Sequence, residues 1–239
     1  MLLEFFKKII LRHKSSSEAF VKYLRKKGCF IGDNVYFPAP MSNFIDCNNG
    51  MFIEIGNNVI VAKNVIILAH DFSFSVVTNT FNTFYRKQRV TKIGNNVFIG
   101  MGAIILMGSE IGDNVIIGSG SVVTGKVESN SVYAGNPAKK ICSLESLRDK
   151  YRSDFVYSAQ VYAEQFKKRY RRYPEINEMK IYQLLFTSVD KKQCIKDIYG
   201  KTTRIRTTAK ENPCIDLEYK FNTVEELMRA TLNNTGNDT

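Results

Sequence analysis

The residue types that could carry acid–base chemistry are scarce in this chain, whose 239 residues include two histidines, His13 and His70. His70 lies in the segment LAHDFSF, and His13 lies in a basic N-terminal stretch. Imidazole has an unperturbed pKa of about 6.5, so it can take up and return a proton near neutral pH. A zinc site made of three histidines is excluded by this count, and His70 is the candidate base.

The cysteines offer no second site. They are odd in number, form no CxxC pair and are scattered, at Cys29, Cys47, Cys142, Cys194 and Cys214. This usage favours reduced thiols in a cytoplasmic protein without a bound metal. Charged residues interrupt the apolar N-terminal sequence MLLEFFKKIILRHK, which argues against a signal peptide, and we expect no transmembrane helix.

A period of six residues dominates the chain from Ile93 onward. Every sixth residue is aliphatic: Ile93, Ile99, Ile105, Ile111, Ile117 and Val123. The positions four residues later are small or β-branched: Val97, Ala103, Ser109, Val115, Ser121 and Val127. Neither a helix nor a simple alternating strand has this period, whereas hexapeptide repeats are typical of parallel β-helices. We therefore predict three six-residue units per coil, with the aliphatic residues stacked inside.

The same signature occurs earlier, as IGDNVYF at 31–37 and IGNNVIVAKNVII at 55–67. Ile31 and Ile55 share the six-residue register, but the step from Ile55 to Ile93 breaks it. The intervening segment, 69–91, has aromatic and basic residues and no repeat, so we expect a loop that leaves the β-helix there. A long loop on a rigid scaffold usually carries function, and His70 lies at its start.

The segment 93–141, IGNNVFIGMGAIILMGSEIGDNVIIGSGSVVTGKVESNSVYAGNPAKKI, resembles the hexapeptide-repeat acetyltransferases. The nearest in pattern are the galactoside, maltose and polysaccharide O-acetyltransferases, and the resemblance covers residues 31–142, about half of the chain. Its GNPAKKI ending (Gly135–Ile141) is a specific feature of the end of the β-helix in that family. The resemblance implies a left-handed parallel β-helix, a homotrimer with active sites between adjacent subunits, and acetyl-CoA as the acetyl donor.

The resemblance also implies roles for individual residues. His70 corresponds to the catalytic histidine at the protruding loop, which would remove the proton from an acceptor hydroxyl. The backbone amide of Met101, in FIGMG, would bind the oxyanion. The positions that would contact coenzyme A are Phe98, Gly100, Met101, Ser119, Thr124, Lys139 and Lys140, with the lysines near its phosphates.

On the acceptor side, Asn43 corresponds to a polar residue that holds the acceptor, with Asp46 as an equal alternative. Tyr85 and Phe98 would also contact the acceptor. Many relatives have tryptophan where this chain has Phe98, and the chain has no tryptophan, so the indole N–H donor is missing. Asp71, next to His70, is a candidate to orient the imidazole.

We expect four parts along the chain. Residues 1–28 form amphipathic helices that cap the first coil, with a basic helix in peripheral contact with a membrane as the alternative. Residues 29–142 form the β-helix with its loop at 69–91, residues 143–232 form an extension that is helical at first, and 233–239 are a disordered tail. The formal charge is +11, but nearby acids dilute the basic KKRYRRY at 167–173, so we expect no nucleic-acid partner.

These observations predict an enzyme that transfers acetyl from acetyl-CoA to a hydroxyl of a sugar, in a cell-surface polysaccharide or its precursor. Two alternatives stay open, namely N-acetylation of an amino-sugar nucleotide and a non-catalytic β-helix scaffold. A scaffold would have no reason to keep a loop histidine beside FIGMG, whereas the choice of acceptor rests on the resemblance alone.

Overall fold

The computed structural model describes residues 12–191, 193–194 and 221–230. The expected N-terminal helix before residue 12, the tail from 233 and Cys214 lie outside these residues. The chain divides into two compact units, one ending at Ser146 and the other beginning at Leu147.

The strands of the first unit are short. Their bounds are β1 Phe30–Ile31, β2 Phe44–Ile45, β3 Ile53–Ile55, β4 Ile60–Val61, β5 Ile66–Ile67, β6 His70–Asp71, β7 Lys87–Gln88, β8 Thr91–Ile93, β9 Val97–Ile99, β10 Ile104–Ile105, β11 Glu110–Ile111, β12 Val115–Ile117, β13 Val122–Val123, β14 Lys126–Val127, β15 Ser131–Ala134 and β16 Lys139–Ser143. Helices α1 (Ser17–Lys26) and α2 (Phe74–Phe81) belong to the same unit. Single 3₁₀ segments occur at Arg12–Lys14, Pro40–Ser42 and Cys47–Phe52.

Fourteen of these strands form three sheets that the chain visits in rotation. Sheet A has the order β1-β3-β8-β11-β14, sheet B has β4-β9-β12-β15-β16, and sheet C has β2-β5-β10-β13. Each coil passes from A to B to C and returns to A one strand further along, and within these three sheets only β16 runs antiparallel, against β15. The described strands therefore form a parallel β-helix with three faces, as the six-residue period predicts.

The repeat positions point inward as predicted. The aliphatic series from Ile93 to Val123 and the small residues that follow each of its members are buried, with exposures of 3% or less. Stacked aliphatic side chains stabilise the fold only when neighbouring coils cover them, by roughly 1.5–3 kcal/mol each.

Glycine and asparagine occupy the corner between sheets A and B for different reasons. A Cβ on Gly94 would lie 2.7 Å from the carbonyl carbon of Gly112 in the next coil, so the coils approach each other too closely for a side chain. Asn96 and Asn114 have φ angles of 54° and 56°, in the left-handed region that asparagine tolerates. Their amides also stack, with Asn96 Nδ2 donating to Asn114 Oδ1 at 2.8 Å.

Two insertions interrupt the regular coils. Ile93 pairs with Ile111, eighteen positions on, whereas Ile55 pairs with Ile93, thirty-eight positions on, because the segment between β5 and β8 leaves the coil. Ile31 pairs with Ile55, twenty-four positions on, so the first coil is also enlarged, and it contains the 3₁₀ segment Cys47–Phe52. The six-residue pattern does not reveal the enlargement of the first coil, because twenty-four is a multiple of six and the register is kept.

The long insertion is not the plain loop that the sequence led us to expect. It contains the antiparallel pair β6–β7 and, between these strands, helix α2. Its sequence FSVVTNTF is rich in β-branched residues, which have low helix propensity, so no helical pattern is recognisable there.

Helix α1 packs against the first coil. Its Phe20 and Leu24 join the buried core of the β-helix, and Phe20 meets Phe37 edge to face at 5.0 Å between ring centroids. Ser16 caps the helix by accepting from the Ala19 amide at 3.2 Å.

The second unit has its own core. It contains most of α3 (Leu144–Tyr170), 3₁₀ segments at Ile176–Glu178 and Lys180–Leu185, and α4 (Val224–Arg229). Buried Val156, Ala159 and Ala163 of α3 lie in one cluster with the buried residues Met179, Leu185, Phe186, Phe221, Val224 and Leu227.

Candidate active site

His70 lies where the long insertion leaves the β-helix. It follows β5 of sheet C and begins β6, where its backbone pairs with Gln88 of β7. Its side chain is 21% exposed, which leaves the imidazole partly open to solvent. This corner, between a strand of sheet C and the next strand of sheet A, is here called the C–A corner.

A buried carboxylate holds the imidazole. His70 Nδ1 is hydrogen-bonded to Asp46 Oδ2, and the Asp46 side chain is 2% exposed. Asp46 follows β2 at the same corner one coil earlier, and its Oδ2 also accepts from the Ala69 amide at 3.2 Å. With Nδ1–H donating to the carboxylate, the assigned tautomer leaves Nε2 as the unprotonated nitrogen.

Two amide side chains complete the contacts of the carboxylate. Asn49 Nδ2 donates to Asp46 Oδ1 at 3.0 Å and to Oδ2 at 3.2 Å, and it lies 3.2 Å from His70 Nδ1. Asn49 Oδ1 in turn accepts a short hydrogen bond from Gln88 Nε2. A chain of side-chain contacts therefore runs from β7 through Asn49 to Asp46 and His70.

The Asp46 carboxyl is held in its ionised form. Burial opposes ionisation, but hydrogen bonds from Asn49, His70 and the Ala69 amide outweigh burial and hold the pKa of Asp46 below its ordinary value. A buried, ionised carboxylate is the partner that fixes an imidazole in the Nδ1–H tautomer and stabilises it when Nε2 takes a proton. The pair is therefore arranged for general-base chemistry at Nε2.

An exposed aromatic residue contacts the histidine, and other aromatic residues lie further along the same insertion. Phe72 meets the His70 ring edge to face, with 4.8 Å between centroids, and is 69% exposed. Phe74 links Phe72 to Phe84 through centroid distances of 5.8 Å and 5.6 Å. Tyr85, one of the residues predicted to contact the acceptor, is also exposed in this insertion.

Asn43 and Asp71 do not occupy the roles that the sequence suggested. Asn43 is buried at 3% exposure, and its Oδ1 accepts from the Val65 amide at 2.9 Å, so its position does not support contact with an acceptor. The Asp71 carboxylate accepts from the amide and hydroxyl of Ser73, both at 2.8 Å, and the imidazole is oriented by Asp46 instead. Adjacent residues on a strand face opposite sides, which separates Asp71 from the Nδ1 of His70.

Three of the predicted coenzyme A residues cluster at a different corner, between sheets B and C. Gly100, Met101 and Ser119 lie at this B–C corner, where Met101 is 55% exposed. Within the described chain no hydrogen bond occupies the Met101 amide, although its carbonyl accepts from Gly120 at 2.8 Å. Gly100 is buried, and a Cβ there would lie 2.5 Å from the Ser119 amide nitrogen, so this glycine allows adjacent coils to approach.

The remaining predicted residues are spread around these corners. Thr124 is exposed at the C–A corner, two coils beyond His70, and Phe98 points outward from sheet B at 42% exposure. Lys139 and Lys140 lie in β16 opposite Ala134 and Tyr133. Lys140 Nζ is engaged by Glu128 Oε2 at 2.7 Å, which leaves Lys139 as the less occupied cation of the two.

The comparisons with known proteins agree with this geometry. Residues 91–125 match the family model of the bacterial transferase hexapeptide, with six repeats. Protein CapG of Staphylococcus aureus is 37% identical over 162 residues, which cover 67% of this chain and 85% of CapG. The chain belongs to the hexapeptide-repeat transferases. It is an acyltransferase, and its coils form a left-handed parallel β-helix.

Solved structures with similar coils include a maltose O-acetyltransferase from Clostridium difficile 630. That protein is 31% identical in sequence, with 53% of this chain and 75% of that chain covered and a TM-score of 0.37. A serine acetyltransferase from Brucella abortus strain S19, in complex with coenzyme A, is 25% identical, with 48% of this chain covered and a TM-score of 0.32. The hexapeptide-repeat chain described here spans 40% of the length of that serine acetyltransferase.

Among residues 12–191, 193–194 and 221–230, no group of three or more histidine, cysteine and acidic side chains could hold a metal ion. No helix in the same residues has both the length and the hydropathy needed to cross a bilayer. The four cysteines in the described part of the chain form no disulfide bond, and burial raises the pKa of Cys29 to about 11.

Sequence reasoning missed the residues that hold His70. The sequence pattern suggests Asp46 only as a contact of the acceptor and does not single out Asn49 or Gln88. A signal was present, since Asp46 occupies the coil position one turn before His70 and the polar run DCNN interrupts an otherwise aliphatic series. In a solenoid, positions one coil apart are neighbours, so a carboxylate in the preceding coil is the first partner to test.

Proposed function

We propose that this acyltransferase moves an acetyl group from acetyl-CoA to a hydroxyl of a sugar, in a cell-surface polysaccharide or its precursor, with His70 as the general base. The observation that supports this most directly is the buried Asp46–His70 pair, which leaves Nε2 free at the edge of the β-helix. A sugar hydroxyl is a poor nucleophile at neutral pH and needs its proton removed as it attacks a thioester.

Acetyl-CoA would supply the thioester carbonyl as the electrophile. His70 Nε2 accepts the hydroxyl proton as the acceptor oxygen bonds to the carbonyl carbon, and Asp46 stabilises the resulting imidazolium. The same proton is then available for the sulfur that leaves when the carbon–sulfur bond breaks. The chain's groups thus move one proton from acceptor to thiol, with no covalent enzyme intermediate.

The B–C corner supports the acetyl-CoA assignment. The free Met101 amide would stabilise the negative charge that develops on the carbonyl oxygen. Gly102 and Gly120, both with φ of +69°, flank it, and a Cβ on either would meet no atom within 4 Å. This open strip leaves room for the extended arm that carries the thioester. Ser119, which precedes Gly120, and Lys139 of β16 are both exposed.

The positions of His70 and Met101 support a homotrimer with shared sites. The two residues lie at different corners of one β-helix, with a strand of sheet C between the C–A and B–C corners. A site that uses both the base and the oxyanion donor is therefore most simply assembled from the C–A corner of one subunit and the B–C corner of the next.

The outward side chains of the three sheets support the same assembly. Sheet A carries alternating charges, namely Glu54, Lys92, Glu110 and Lys126. Sheets B and C carry apolar rows instead, with Ile60, Phe98, Ile116 and Val132 on B and Phe44, Ile66, Ile104 and Val122 on C. In a cyclic trimer each subunit meets two neighbours, so two faces are covered and one stays in water.

A sugar acceptor is supported by the surroundings of His70. The exposed ring of Phe72 offers a flat apolar surface beside the base, on which the C–H face of a sugar ring can pack. The exposed rings of Phe84 and Tyr85 lie further along the same insertion. The exposure of these aromatic rings can be explained without a bound lipid.

The first experiment measures coenzyme A release from acetyl-CoA with a panel of mono-, oligo- and polysaccharides and amino-sugar nucleotides. We expect glycan-stimulated release, and we expect His70→Ala to lower turnover by about 10²–10⁴-fold without loss of acetyl-CoA binding. His13→Ala, which removes the other histidine, is the matched control and should stay at the wild-type rate. Near-normal turnover in His70→Ala would remove the histidine from the mechanism, and release stimulated only by amino sugars would replace the O-acetyl assignment.

The shared site can be tested by complementation. His70→Ala and Met101→Pro, which removes the backbone N–H, should each be inactive, but random mixing in co-expressed trimers would restore about one quarter of the clefts. If a single subunit held both groups, mixing would restore nothing. Sedimentation of each variant should show a trimer, and a clean monomer would contradict the shared cleft.

A further inference from the structure

Both interruptions of the six-residue repeat converge on the same histidine. The 3₁₀ segment Cys47–Phe52 enlarges the first coil and carries Asn49, whereas the long insertion of the second coil carries Gln88. These two segments touch through the Gln88–Asn49 hydrogen bond, next to the Asp46–His70 pair. Inserted residues that meet at one side chain of a regular solenoid are best explained by what they do to that side chain.

We infer that Asn49 and Gln88 are positioning residues that act through Asp46 to keep the proton of His70 on Nδ1, and Nε2 ready to accept. This inference rests on the proposed role of His70 as general base. Neither amide is required to touch the acceptor or acetyl-CoA.

The buried Asp46 carboxylate needs hydrogen-bond donors for both of its oxygens. Its Oδ2 accepts from the Ala69 amide and from His70, but among the described residues Asn49 is the side chain that donates to Oδ1. The carboxylate is 2% exposed, so water cannot replace a lost donor without rearrangement. A buried carboxylate oxygen without a donor is costly, and the cost favours protonation of the carboxyl.

The orientation of the Asn49 side-chain amide depends on Gln88. Its amide could in principle be turned over, which would direct Oδ1 at the Asp46 carboxylate. The Nε2–H of Gln88 donates to Asn49 Oδ1 and thereby keeps the Nδ2 donor on the side of Asp46. Gln88 is also the backbone partner of His70 in the β6–β7 pair, so its own position is fixed relative to the imidazole.

The tautomer of the His70 imidazole depends on the charge of Asp46. Asn49 Nδ2 lies 3.2 Å from His70 Nδ1, and both are donors while Asp46 is ionised, so both turn their hydrogens toward the carboxylate. If Asp46 became neutral, its carboxyl O–H could donate to Nδ1 instead, and the imidazole proton would move to Nε2. That tautomer cannot accept a proton from a hydroxyl at Nε2.

The other titratable groups near the pair are few. The Cys29 and Cys47 thiols interact with this region of the first coil, and Cys29 stays protonated because burial, then Cys47 and Asp46, raise its pKa to about 11. Lys87 and Asp71 of the β6–β7 pair carry charge on the solvent side of His70. The hydrogen bond from Asn49 is the largest of the contributions that lower the pKa of Asp46.

The test compares pH profiles of kcat for four variants. Asn49→Leu removes the Oδ1 donor, so we expect the acid limb to move up by about one pH unit, with kcat on that limb lowered about 10-fold and KM for acetyl-CoA unchanged. Gln88→Glu should turn Asn49 over and shift the limb in the same direction, whereas Gln88→Met should give a smaller shift. Asn48→Leu, an exposed position in the same 3₁₀ segment, is the matched control and should keep the wild-type profile.

Equal losses at every pH, or a higher KM with an unmoved limb, would mean a merely structural role and overturn the inference. Imidazole ¹⁵N spectra give a second readout that needs no turnover, because the chain has two histidines and His70→Ala assigns the signals. We expect the Nδ1–H form in the wild type and Asn48→Leu, and a shift toward Nε2–H in Asn49→Leu. An unchanged tautomer in Asn49→Leu would sink the inference even if the acetyl transfer is confirmed, and a changed tautomer would sustain it even if the acceptor is not a sugar.

Discussion

Replacement of Asp46 by asparagine is the most direct test of the active-site geometry. The change keeps the volume of a side chain that is 2% exposed, but it removes the negative charge beside His70 Nδ1. If the new amide turns its oxygen to His70, its nitrogen faces the Nδ2 of Asn49, and two donors oppose each other. If it turns its nitrogen to His70, the imidazole proton is driven to Nε2 and the base is lost.

Either arrangement loses a charge-assisted hydrogen bond, which is worth about 1.5–3 kcal/mol. At 1.36 kcal/mol for each factor of ten, kcat should fall about 10- to 150-fold in Asp46→Asn. KM for acetyl-CoA should change little, because the Asp46 side chain is 2% exposed and acts through His70 rather than by contact with acetyl-CoA. The assay is coenzyme A release at saturating acceptor, and sedimentation and thermal unfolding confirm that the variant is assembled and folded.

Asp71→Asn is the matched control. Asp71 is the neighbour of His70 in the chain, but its carboxylate is engaged by Ser73. We expect this variant within about twofold of the wild-type rate, since surface hydrogen bonds contribute little. A loss of less than twofold in Asp46→Asn, or equal losses in the two variants, would refute the assignment of Asp46 as the partner of the imidazole.

The same substitution has a signature in stability. A carboxyl whose folded-state pKa lies below its unfolded value stabilises the fold above the unfolded pKa of about 3.9 and loses that contribution as pH falls through the folded pKa. Asp46 is lowered in this sense. The deficit of Asp46→Asn in urea unfolding should therefore be present near neutral pH and shrink in acid, and a deficit that grows in acid would contradict the sign.

Three further predictions concern the scaffold and the second unit. Gly94→Ala should lower the free energy of unfolding by about 1–3 kcal/mol, because its Cβ would lie 2.7 Å from the Gly112 carbonyl carbon, and thermal unfolding measures this. Ile117→Ala should cost about 2–5 kcal/mol and Ile117→Val about 0.5–1.5 kcal/mol, since the side chain is fully buried, and equal costs in chemical denaturation would contradict the cavity argument. Arg172 holds the pKa of Glu178 down at about 2, so Glu178→Gln should remove stabilisation that is present above pH 4.5 and lost toward pH 2, as acid titration of the unfolding transition would show.

The sequence predicted the scaffold well because the period of the repeat and the period of burial are the same quantity. Ile99, Ile105 and Ile117 are fully buried in the positions that the hexads assign to them. The glycine after several aliphatic positions also has a local cause, the close approach of adjacent coils at Gly94 and Gly112. Features encoded within one coil can therefore be read from the sequence alone.

The partners of the histidine could not be read in the same way. Asp46 and His70 lie at the same corner in consecutive coils, but the first coil is enlarged by six residues, and an enlargement by one full hexad leaves the register of Ile31 and Ile55 intact. The period therefore hides the insertion that carries Asn49. Helix α2 was missed for another reason, since a helix rich in β-branched residues is stabilised by its surroundings and not by its own propensity.

In the proposed trimer, the distribution of charge over the three faces would make activity depend on assembly. The apolar rows of sheets B and C border the corner that carries Met101, and sheet C separates that corner from His70. A substitution that introduces charge into an apolar row, such as Ile104→Asp, should abolish activity if the proposed trimer forms, with His70 and Asp46 untouched, because it would separate the proposed base from the proposed oxyanion donor of the neighbour. A substitution on the charged row of sheet A, such as Glu110→Lys, should leave the oligomeric state and the activity unchanged. Loss of activity that tracks the apolar rows, and not the charged row, is what a site divided between subunits requires.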